Sequence, residues 1–293
     1  MKPPRFEYHA PRALDEALEI FNRYGGEARI LAGGQSLMPM LNLRLLAPRA
    51  LVDLNRIAEL AYIESGDGFL RFGAMTRQRK IEYSALVRQK LPILQEALRW
   101  VGHLPTRSRG TIGGSIAHAD PSAELPLLLA ALDGEVVVKG PRGERHIRAA
   151  DLFKMFFTTS LAADEILTEV RIPVLPENAG HAIEEFARRH GDFAVVSVAA
   201  VISRDGRRCT RARIATGGTG PTPARVRKAE EILERDGLTD AAIKAAASKA
   251  AELIEPTADS NASAEFRRHL TDVLVARAVR RAIGEGHKDR HTE

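Results

Sequence analysis

The sequence predicts an α+β protein with two domains, and three observations support this prediction. Before residue 173, short apolar segments of strand length alternate with helical segments. The stretch 174–180 contains a proline, an asparagine and a glycine, which is typical of a linker. After it, strand-like segments are followed by helical ones. That order, strands first and helices later, indicates a second α+β domain.

The individual elements follow from periodicity and from residues that break it. A helix is predicted at 11–24, because Leu14, Leu18 and Phe21 recur at helical spacing and Gly25-Gly26 ends the segment. The other elements predicted before the linker are strands at 29–32, 50–54 and 165–172, hairpins at 60–72 and 134–148, and helices at 77–89, 92–101 and 123–132. Those predicted after the linker are strands at 182–189, 194–203 and 208–217 and helices at 224–235, 239–253 and 264–284.

Composition excludes several classes of function. The net charge is +5, but basic and acidic residues are interspersed and aromatic residues make up only 5%, so a nucleic-acid partner is not expected. No apolar run reaches the roughly 18 residues of a membrane span. The first residues lead into no apolar signal region, so we expect a cytoplasmic protein.

The chain contains one cysteine, Cys209, which we expect to be a buried or edge-strand thiol. A single thiol excludes an intrachain disulfide. It also excludes a self-contained iron–sulfur cluster, since such a cluster usually takes four cysteine ligands. Any iron–sulfur chemistry would therefore belong to another polypeptide.

Two diglycine loops are the most informative local features. Ala32-Gly33-Gly34-Gln35-Ser36 follows a short strand, and Gly110-Thr111-Ile112-Gly113-Gly114-Ser115 has the same Gly-Gly pair with a hydroxyl residue nearby. Paired glycines allow positive φ and bring backbone N–H groups close to an anion. One such loop alone would more often be a simple turn. Two together could clamp a pyrophosphate from two sides.

Neither loop carries a common nucleotide motif. Gly-x-Gly-x-x-Gly is absent from both loops, which argues against a Rossmann fold, and no Gly-Lys-Ser/Thr follows either, which argues against a P-loop. The residues alone therefore favour a dinucleotide-type ligand on a scaffold that is not of the Rossmann type.

Five segments together resemble the FAD-binding flavoprotein subunits of molybdenum hydroxylases, the xanthine dehydrogenase family. Residues 32–37 resemble the family's first FAD loop, and residues 107–124 resemble the second. Residues 164–173, 188–194 and 217–225 match further landmarks in the expected order. The resemblance covers nearly the whole chain. It is nearest to the medium subunits of carbon monoxide dehydrogenase and of quinoline- and nicotine-type dehydrogenases.

The resemblance implies a fold in more detail. It implies a two-subdomain FAD-binding domain of the vanillyl-alcohol-oxidase (PCMH) type at 1–176, with subdomains at about 1–57 and 58–176. It also implies a C-terminal domain at 177–286, made of a three-stranded antiparallel sheet and a helical bundle. A polar tail is expected at 287–293.

The resemblance also implies which residues bind the cofactor. The first loop would hold the pyrophosphate through backbone N–H groups, and Glu124 would lie near the ribityl hydroxyls. Phe193 would lie close to the isoalloxazine, without the hydrogen bond that a tyrosine could make there. The full predicted set is Arg29, Ile30, Leu31, Ala32, Gly33, Gly34, Gln35, Ser36, Val101, Thr111, Gly113, Gly114, Ser115, Glu124, Leu167 and Phe193. No catalytic acid or base and no metal ligand is predicted in this chain.

The implied function is electron relay. FAD on this chain would take electrons from [2Fe-2S] clusters on a small partner subunit and pass them to an external acceptor. A large partner subunit with the molybdenum cofactor would oxidise a small organic substrate, such as an N-heterocycle or an aldehyde. The assembly would be a dimer of heterotrimers. Two alternatives stay open at this point: a self-sufficient FAD-dependent oxidoreductase, and a non-catalytic dinucleotide-binding scaffold.

Overall fold

A computed structural model describes residues 2–284. In chain order its first elements are β1 Glu7–His9, α1 Leu14–Arg23, β2 Ala28–Leu31, α2 Leu37–Asn42, β3 Ala50–Asp53, β4 Ile63–Gly66, β5 Phe69–Gly73, α3 Gln78–Glu82, α4 Ala85–Lys90, α5 Pro92–Leu98, α6 Leu104–Arg109, α7 Ile112–His118, α8 Glu124–Ala131, β6 Glu135–Gly140, β7 Gly143–Arg148, α9 Ala149–Leu152, β8 Phe153–Met155, β9 Thr158–Thr159 and β10 Ile166–Pro173. The later elements are β11 Ala179–Phe186, β12 Val196–Asp205, β13 Arg208–Gly217, β14 Ala224–Arg225, α10 Arg227–Asp236, α11 Asp240–Leu253 and α12 Ala264–Ala282.

The chain divides into two compact units. Within the described residues, unit 1 comprises residues 2–90, 102–119 and 133–174, and unit 2 comprises residues 91–101, 120–132 and 175–284. Two helices from the first half of the chain, α5 and α8, thus belong to the unit that contains the C-terminal sheet. The domain boundary predicted at 176/177 stays a prediction, and the predicted tail at 287–293 lies outside the described residues.

Unit 1 contains two main sheets. A parallel three-stranded sheet has the order β1-β3-β2, and an antiparallel five-stranded sheet has the order β4-β5-β10-β6-β7. The predicted first helix is confirmed as α1. It buries Ala17, Leu18 and Phe21 against the parallel sheet, where Ala28 and Val52 line the same core. Burying these apolar side chains is the main stabilising term for this short three-stranded layer.

Unit 2 is built on an antiparallel sheet of four strands in the order β11-β12-β13-β14. The prediction of a three-stranded sheet is therefore wrong by one strand. The fourth strand, β14, has two residues and pairs Ala224 and Arg225 with β13. It was predicted as the start of a helix, because a two-residue strand has too short a pattern to be distinguished from the helix that follows.

One face of this sheet packs against the three C-terminal helices. Alternate residues of β12, Val196, Val198, Ala200 and Ile202, form one core with side chains from α10, α11 and α12. The period of two places the intervening residues of β12, beginning with Ser197, on the opposite face. That second face contains polar side chains that are described below.

The predicted helix at 77–89 is wrong as a single element. It consists of α3 and α4, which are separated at Tyr83 and Ser84, where the Val87 N–H is bonded to Ser84 Oγ. Serine competes for backbone hydrogen bonds in this way, and it therefore favours a new helix start over continuation. None of the helices in the described part of the chain is long and apolar enough to cross a membrane.

Candidate functional site

The first diglycine loop lies at the carboxyl end of β2. Gly34 has a φ of +73°, and its carbonyl oxygen accepts a hydrogen bond from Met38 N–H, which starts α2. Within residues 2–284, the backbone N–H groups of Gly33, Gly34 and Gln35 donate to no protein acceptor. Three successive unpaired N–H groups in a tight turn form a concavity that suits the oxygens of an anion. These donors fit a phosphate group.

The second diglycine loop is in direct contact with the first. A Cβ atom on Gly33 would lie 2.5 Å from the carbonyl oxygen of Arg109 and 2.8 Å from the Cα of Gly110. A Cβ atom on Gly114 would lie 3.2 Å from the Cβ of Ala32. The two backbones can therefore approach this closely only because both positions are glycine. The structure brings together the two segments that the sequence singled out.

The second loop is partly helical, which the sequence analysis missed. Residues 112–118 form α7, and Thr111 caps it, because its Oγ1 accepts a hydrogen bond from Gly114 N–H at 3.1 Å. The paired glycines suggested a loop, but the Thr111 cap stabilises the first turn despite their low helix propensity. Gly113 N–H is also used within the protein, since it donates to the carbonyl oxygen of Ala74 at 2.9 Å.

The two loops therefore have different roles in this geometry. In the second loop the N–H groups of Gly113 and Gly114 are already bonded, whereas those of Gly33 and Gly34 are not. The first loop supplies the open donors. The second loop packs closely beside these donors. The contacts with a cofactor that were predicted for Thr111, Gly113, Gly114 and Ser115 stay predictions.

A polar network that the sequence analysis did not identify holds both loops. Asn55 Nδ2 donates to the carbonyl oxygen of Ala32 at 2.9 Å, and Arg77 donates to Asn55 Oδ1 at 2.5 Å and to the carbonyl oxygen of Arg109. Asp53 orients Asn55 by accepting from its backbone and side-chain N–H groups, at 2.9 and 2.5 Å. The Arg77 guanidinium thus holds both loops. It donates directly to Arg109, which precedes Gly110, and through Asn55 it holds Ala32, which precedes Gly33.

The position of Asn55 gives the only signal that the sequence offered for this network. Asp53 ends β3 and pairs in register with Leu31, which ends β2. Because parallel strands bring their carboxyl ends to one edge of a sheet, polar residues after β3 lie beside the loop that follows β2. Arg77 lies 22 residues further along the chain and has no local signal.

The electrostatics of the network suit an anionic ligand. Burial lowers the pKa of Arg77 from its ordinary value, the neighbouring Arg109 lowers this pKa further, and Asp53 raises it. The guanidinium nevertheless stays charged at neutral pH, because the ordinary arginine pKa is far above 7. Two positive charges close to three open N–H groups produce a local field that attracts phosphate.

Replacing Arg77 with methionine should weaken flavin binding. Loss of a charge-assisted hydrogen bond that positions a loop costs about 1.5–3 kcal/mol, or roughly ten- to hundredfold in Kd. Fluorescence titration with FAD measures the change. The matched control is Arg49→Met, which removes an exposed arginine that pairs with Glu27 at 2.9 Å; equal loss in both variants would contradict the positioning role.

Removing the cap of α7 should destabilise unit 1. Thr111→Val keeps the shape of the side chain but cannot accept the Gly114 N–H, and loss of an N-cap costs about 1 kcal/mol. Thr111→Ser retains the hydroxyl and serves as the control. Urea unfolding followed by far-UV circular dichroism compares the two, and a valine variant as stable as the serine variant would refute the capping role.

The remaining predicted residues are distributed over both units. Arg29, Ile30 and Leu31 belong to β2, where Arg29 donates to the carbonyl oxygens of Gly26 and Ala28. Leu167 is buried in β10 of the same unit. Three others belong to unit 2: Val101, Glu124, which begins α8, and Phe193, a residue that is 62% exposed. Contacts of all these residues with a cofactor stay predictions.

Cys209 is buried in β13, as predicted. Burial raises the pKa of the Cys209 thiol to about 11, and the nearby Glu234 contributes to the shift. The thiol is therefore protonated and unreactive at neutral pH. In the described part of the chain, no group of three or more histidine, cysteine, aspartate or glutamate side chains could hold a metal ion.

Comparison with known protein families identifies the chain. Residues 4–175 match the FAD binding domain in molybdopterin dehydrogenase, and residues 181–282 match the CO dehydrogenase flavoprotein C-terminal domain. The chain belongs to the FAD-binding medium subunits of the molybdopterin dehydrogenases. The family resemblance inferred from five segments of the sequence is thereby confirmed, as is the prediction of an oxidoreductase subunit.

Individual relatives resemble this medium subunit over almost its entire length. It is 41% identical to the 6-hydroxypseudooxynicotine dehydrogenase complex subunit alpha of Paenarthrobacter nicotinovorans, over 100% of this chain and 98% of that protein. It is 36% identical to the carbon monoxide dehydrogenase medium chain of Hydrogenophaga pseudoflava, over 96% of this chain and 98% of that one.

Solved structures show the same fold. The carbon monoxide dehydrogenase structure from Hydrogenophaga pseudoflava superposes with a TM-score of 0.95 at 36% identity, over 98% of this medium subunit and 100% of that chain. Quinoline 2-oxidoreductase from Pseudomonas putida 86 superposes with a TM-score of 0.93 at 37% identity and the same coverage. The α+β class and the division into an FAD-binding domain and a C-terminal domain agree with these structures.

Proposed function

We propose that this chain carries FAD and relays electrons within a heteromeric molybdenum hydroxylase. The observation that carries the proposal is the first diglycine loop, which has three successive N–H groups without a protein acceptor in the described chain and lies against the second loop. Such a site suits a pyrophosphate, and the chain's family is defined by FAD binding. Bound FAD would supply the redox chemistry, since it can accept and release electrons.

The protein's own contribution is to bind and orient the flavin. Gly33, Gly34 and Gln35 would donate backbone hydrogen bonds to the pyrophosphate. Asn55 and Arg77 keep these donors in place before the ligand arrives, which lowers the entropy cost of binding. Val101, Glu124, Leu167 and Phe193 are proposed as further flavin contacts on the strength of the family resemblance. The same resemblance supports a PCMH-type fold for the FAD-binding domain.

The partners in the proposal are a large subunit with the molybdenum cofactor and a small subunit with [2Fe-2S] clusters, as a dimer of heterotrimers. Relatives are named as subunits or medium chains of carbon monoxide dehydrogenase, nicotine 6-hydroxylase and caffeine dehydrogenase, which supports a multi-subunit assembly. With Cys209 as its one cysteine, this chain is unsuited to hold an iron–sulfur cluster. A small organic substrate would bind to the large subunit.

The purified single chain distinguishes this proposal from its alternatives. We expect it to bind one equivalent of FAD and to show no turnover with organic donors and an artificial electron acceptor. Turnover without partner subunits would favour a self-sufficient oxidoreductase. Failure to bind FAD at all would favour a non-catalytic scaffold and would overturn the proposal.

A further inference from the structure

The carboxyl group of Glu185 on β11 is buried and has no partner in the described part of the chain. Glu185 is 9% exposed, and within the described residues neither of its carboxyl oxygens has a hydrogen-bond partner. A buried carboxylate is normally paired with a cation, held by several donors, or neutralised by a proton. The surroundings of Glu185 show which of these applies.

Glu185 belongs to a buried polar row that crosses the sheet of unit 2. It lies opposite Ser197 of β12, which in turn lies opposite Gly217 of β13, so the three positions share one face. Ser197 is fully buried, and its Oγ also has no partner within the described residues. A Cβ atom on Gly217 would lie 2.6 Å from Ser197 Oγ and 3.1 Å from the carbonyl oxygen of Pro121.

A second buried carboxyl group, that of Glu124, interacts electrostatically with Glu185. Glu124 is the first residue of α8 and is 5% exposed. Burial raises the pKa of Glu185 to about 9, and the charge of Glu124 adds to the shift. Burial also raises the pKa of Glu124 to about 7, its own backbone N–H opposes this shift, and Asp120 increases it. The charged neighbours that act on the two groups are thus acids.

The packed helix α5 adds no free cation to this face. Its Glu96 accepts a hydrogen bond from Ile183 N–H of β11 and is paired with Arg281. Arg281 is also paired with Glu184, the residue that precedes Glu185 and points to the other side of the strand. The positive charge of Arg281 is therefore already paired with two other carboxylates, those of Glu96 and Glu184.

The local backbone decides which member of the pair ionises first. Glu124 lies at a helix N-terminus, where unpaired N–H groups favour a negative charge, and its own N–H interacts with the carboxylate. Glu185 lies in the middle of paired strands and has no comparable donor. Two interacting acids of this kind titrate as a pair and hold one proton over a wide pH range.

We propose that Glu185 holds a proton at neutral pH and acts as a positioning residue that leaves Glu124 as the member of the pair that ionises first. This inference rests on the proposed function for its consequence, because Glu124 is a proposed flavin contact. Ionisation of Glu185 would place a second negative charge in the cluster and would weaken binding of the anionic cofactor. The proton itself is a property of the chain without flavin and can be measured there.

The test compares Glu185→Gln with the native chain, because glutamine resembles the protonated acid in shape and charge. The pKa of Glu185 is raised in the folded chain above its value in the unfolded chain. The contribution of Glu185 to stability is therefore fully present below about pH 4.5 and is lost as pH rises towards about 9. The ratio of the unfolding constant of the native chain to that of Glu185→Gln should rise by up to tenfold for each pH unit between about 5 and 9. Urea unfolding of the flavin-free chain at several pH values measures this ratio.

The control is Glu255→Gln, which removes the same charge from an exposed position in the same unit. Its stability relative to the native chain should not show this pH dependence. A Glu185→Gln profile parallel to the native one would overturn the proposal. So would stabilisation of the native chain at pH 9 by sodium or potassium at constant ionic strength, since that result assigns the cluster to a cation.

Flavin titration tests the consequence separately. Between pH 7 and 9.5 we expect the Kd for FAD to rise several-fold more in the native chain than in Glu185→Gln. Equal pH dependence in the two proteins would contradict the positioning role. A native chain that binds no FAD at any pH would instead contradict the proposed function, while the stability profile would still decide whether Glu185 holds the proton.

Discussion

Replacing Gly33 and Gly114 together with aspartate should abolish flavin binding. A Cβ atom on Gly33 would meet the Arg109 carbonyl oxygen at 2.5 Å, and one on Gly114 would meet Thr111 Oγ1 at 2.7 Å. Each carboxylate would also place a negative charge beside donors that are arranged for phosphate. At about 2 kcal/mol for each position, Kd should rise roughly a thousandfold. Equilibrium dialysis with FAD measures the loss.

Two further variants separate the loss of the site from a loss of folding. Gln35→Glu adds one negative charge beside the same N–H groups at an exposed position and does not crowd the backbone. It should weaken binding about tenfold in a folded chain. Gly66→Asp repeats the glycine-to-aspartate change where a Cβ atom would meet nothing within 4 Å, and it should bind FAD normally. Full FAD occupancy in the double aspartate variant would overturn the two-loop site.

Replacing Gly180 with alanine should strongly destabilise unit 2. Gly180 lies on β11, and a Cβ atom there would come within 1.6 Å of the carbonyl oxygen of Ala282 at the end of α12. No rotamer can relieve this clash, so the helix must move away from the sheet and part of the shared core must open. We expect a loss of about 3 kcal/mol or more.

The chain contains a suitable reporter for this change. Trp100 is its one tryptophan and belongs to unit 2, where its ring stacks on His190 with the ring centroids 5.9 Å apart. Urea unfolding followed by Trp100 fluorescence should show a lower midpoint for Gly180→Ala. Gly220→Ala is the control, because a Cβ atom at Gly220 meets nothing within 4 Å. Equal midpoints in the two variants would show that α12 does not pack on Gly180 as described.

The strongest sequence signals were those with a local physical cause. The spacing of Leu14, Leu18 and Phe21 predicted α1, and the diglycine pairs predicted the two segments that contact each other. The contact itself could not be derived from the sequence, because it depends on Gly33 and Gly114 approaching from positions far apart in the chain. FAD was inferred as the ligand from the resemblance to a known family, and not from the chemistry of the glycines.

The missed features depend on long-range packing or on a single cap. Arg77 and Asn55 look like ordinary polar residues, and their role exists only because β2 and β3 end side by side. Helix α7 was missed because two glycines outweighed the Thr111 cap in a purely local reading. The unpartnered state of Glu185 could not be foreseen either, because the sequence does not show that α8 packs over that face of the sheet.

Purification of the tagged chain from its native host, followed by quantification of flavin, molybdenum and iron, tests the central claim most directly. If the chain is the FAD-carrying subunit of a molybdenum hydroxylase, FAD, molybdenum and iron should co-purify with it in constant ratio, together with a large and a small subunit. Recovery of the flavin-loaded chain without molybdenum or iron, but with oxidation of an organic donor, would contradict the account.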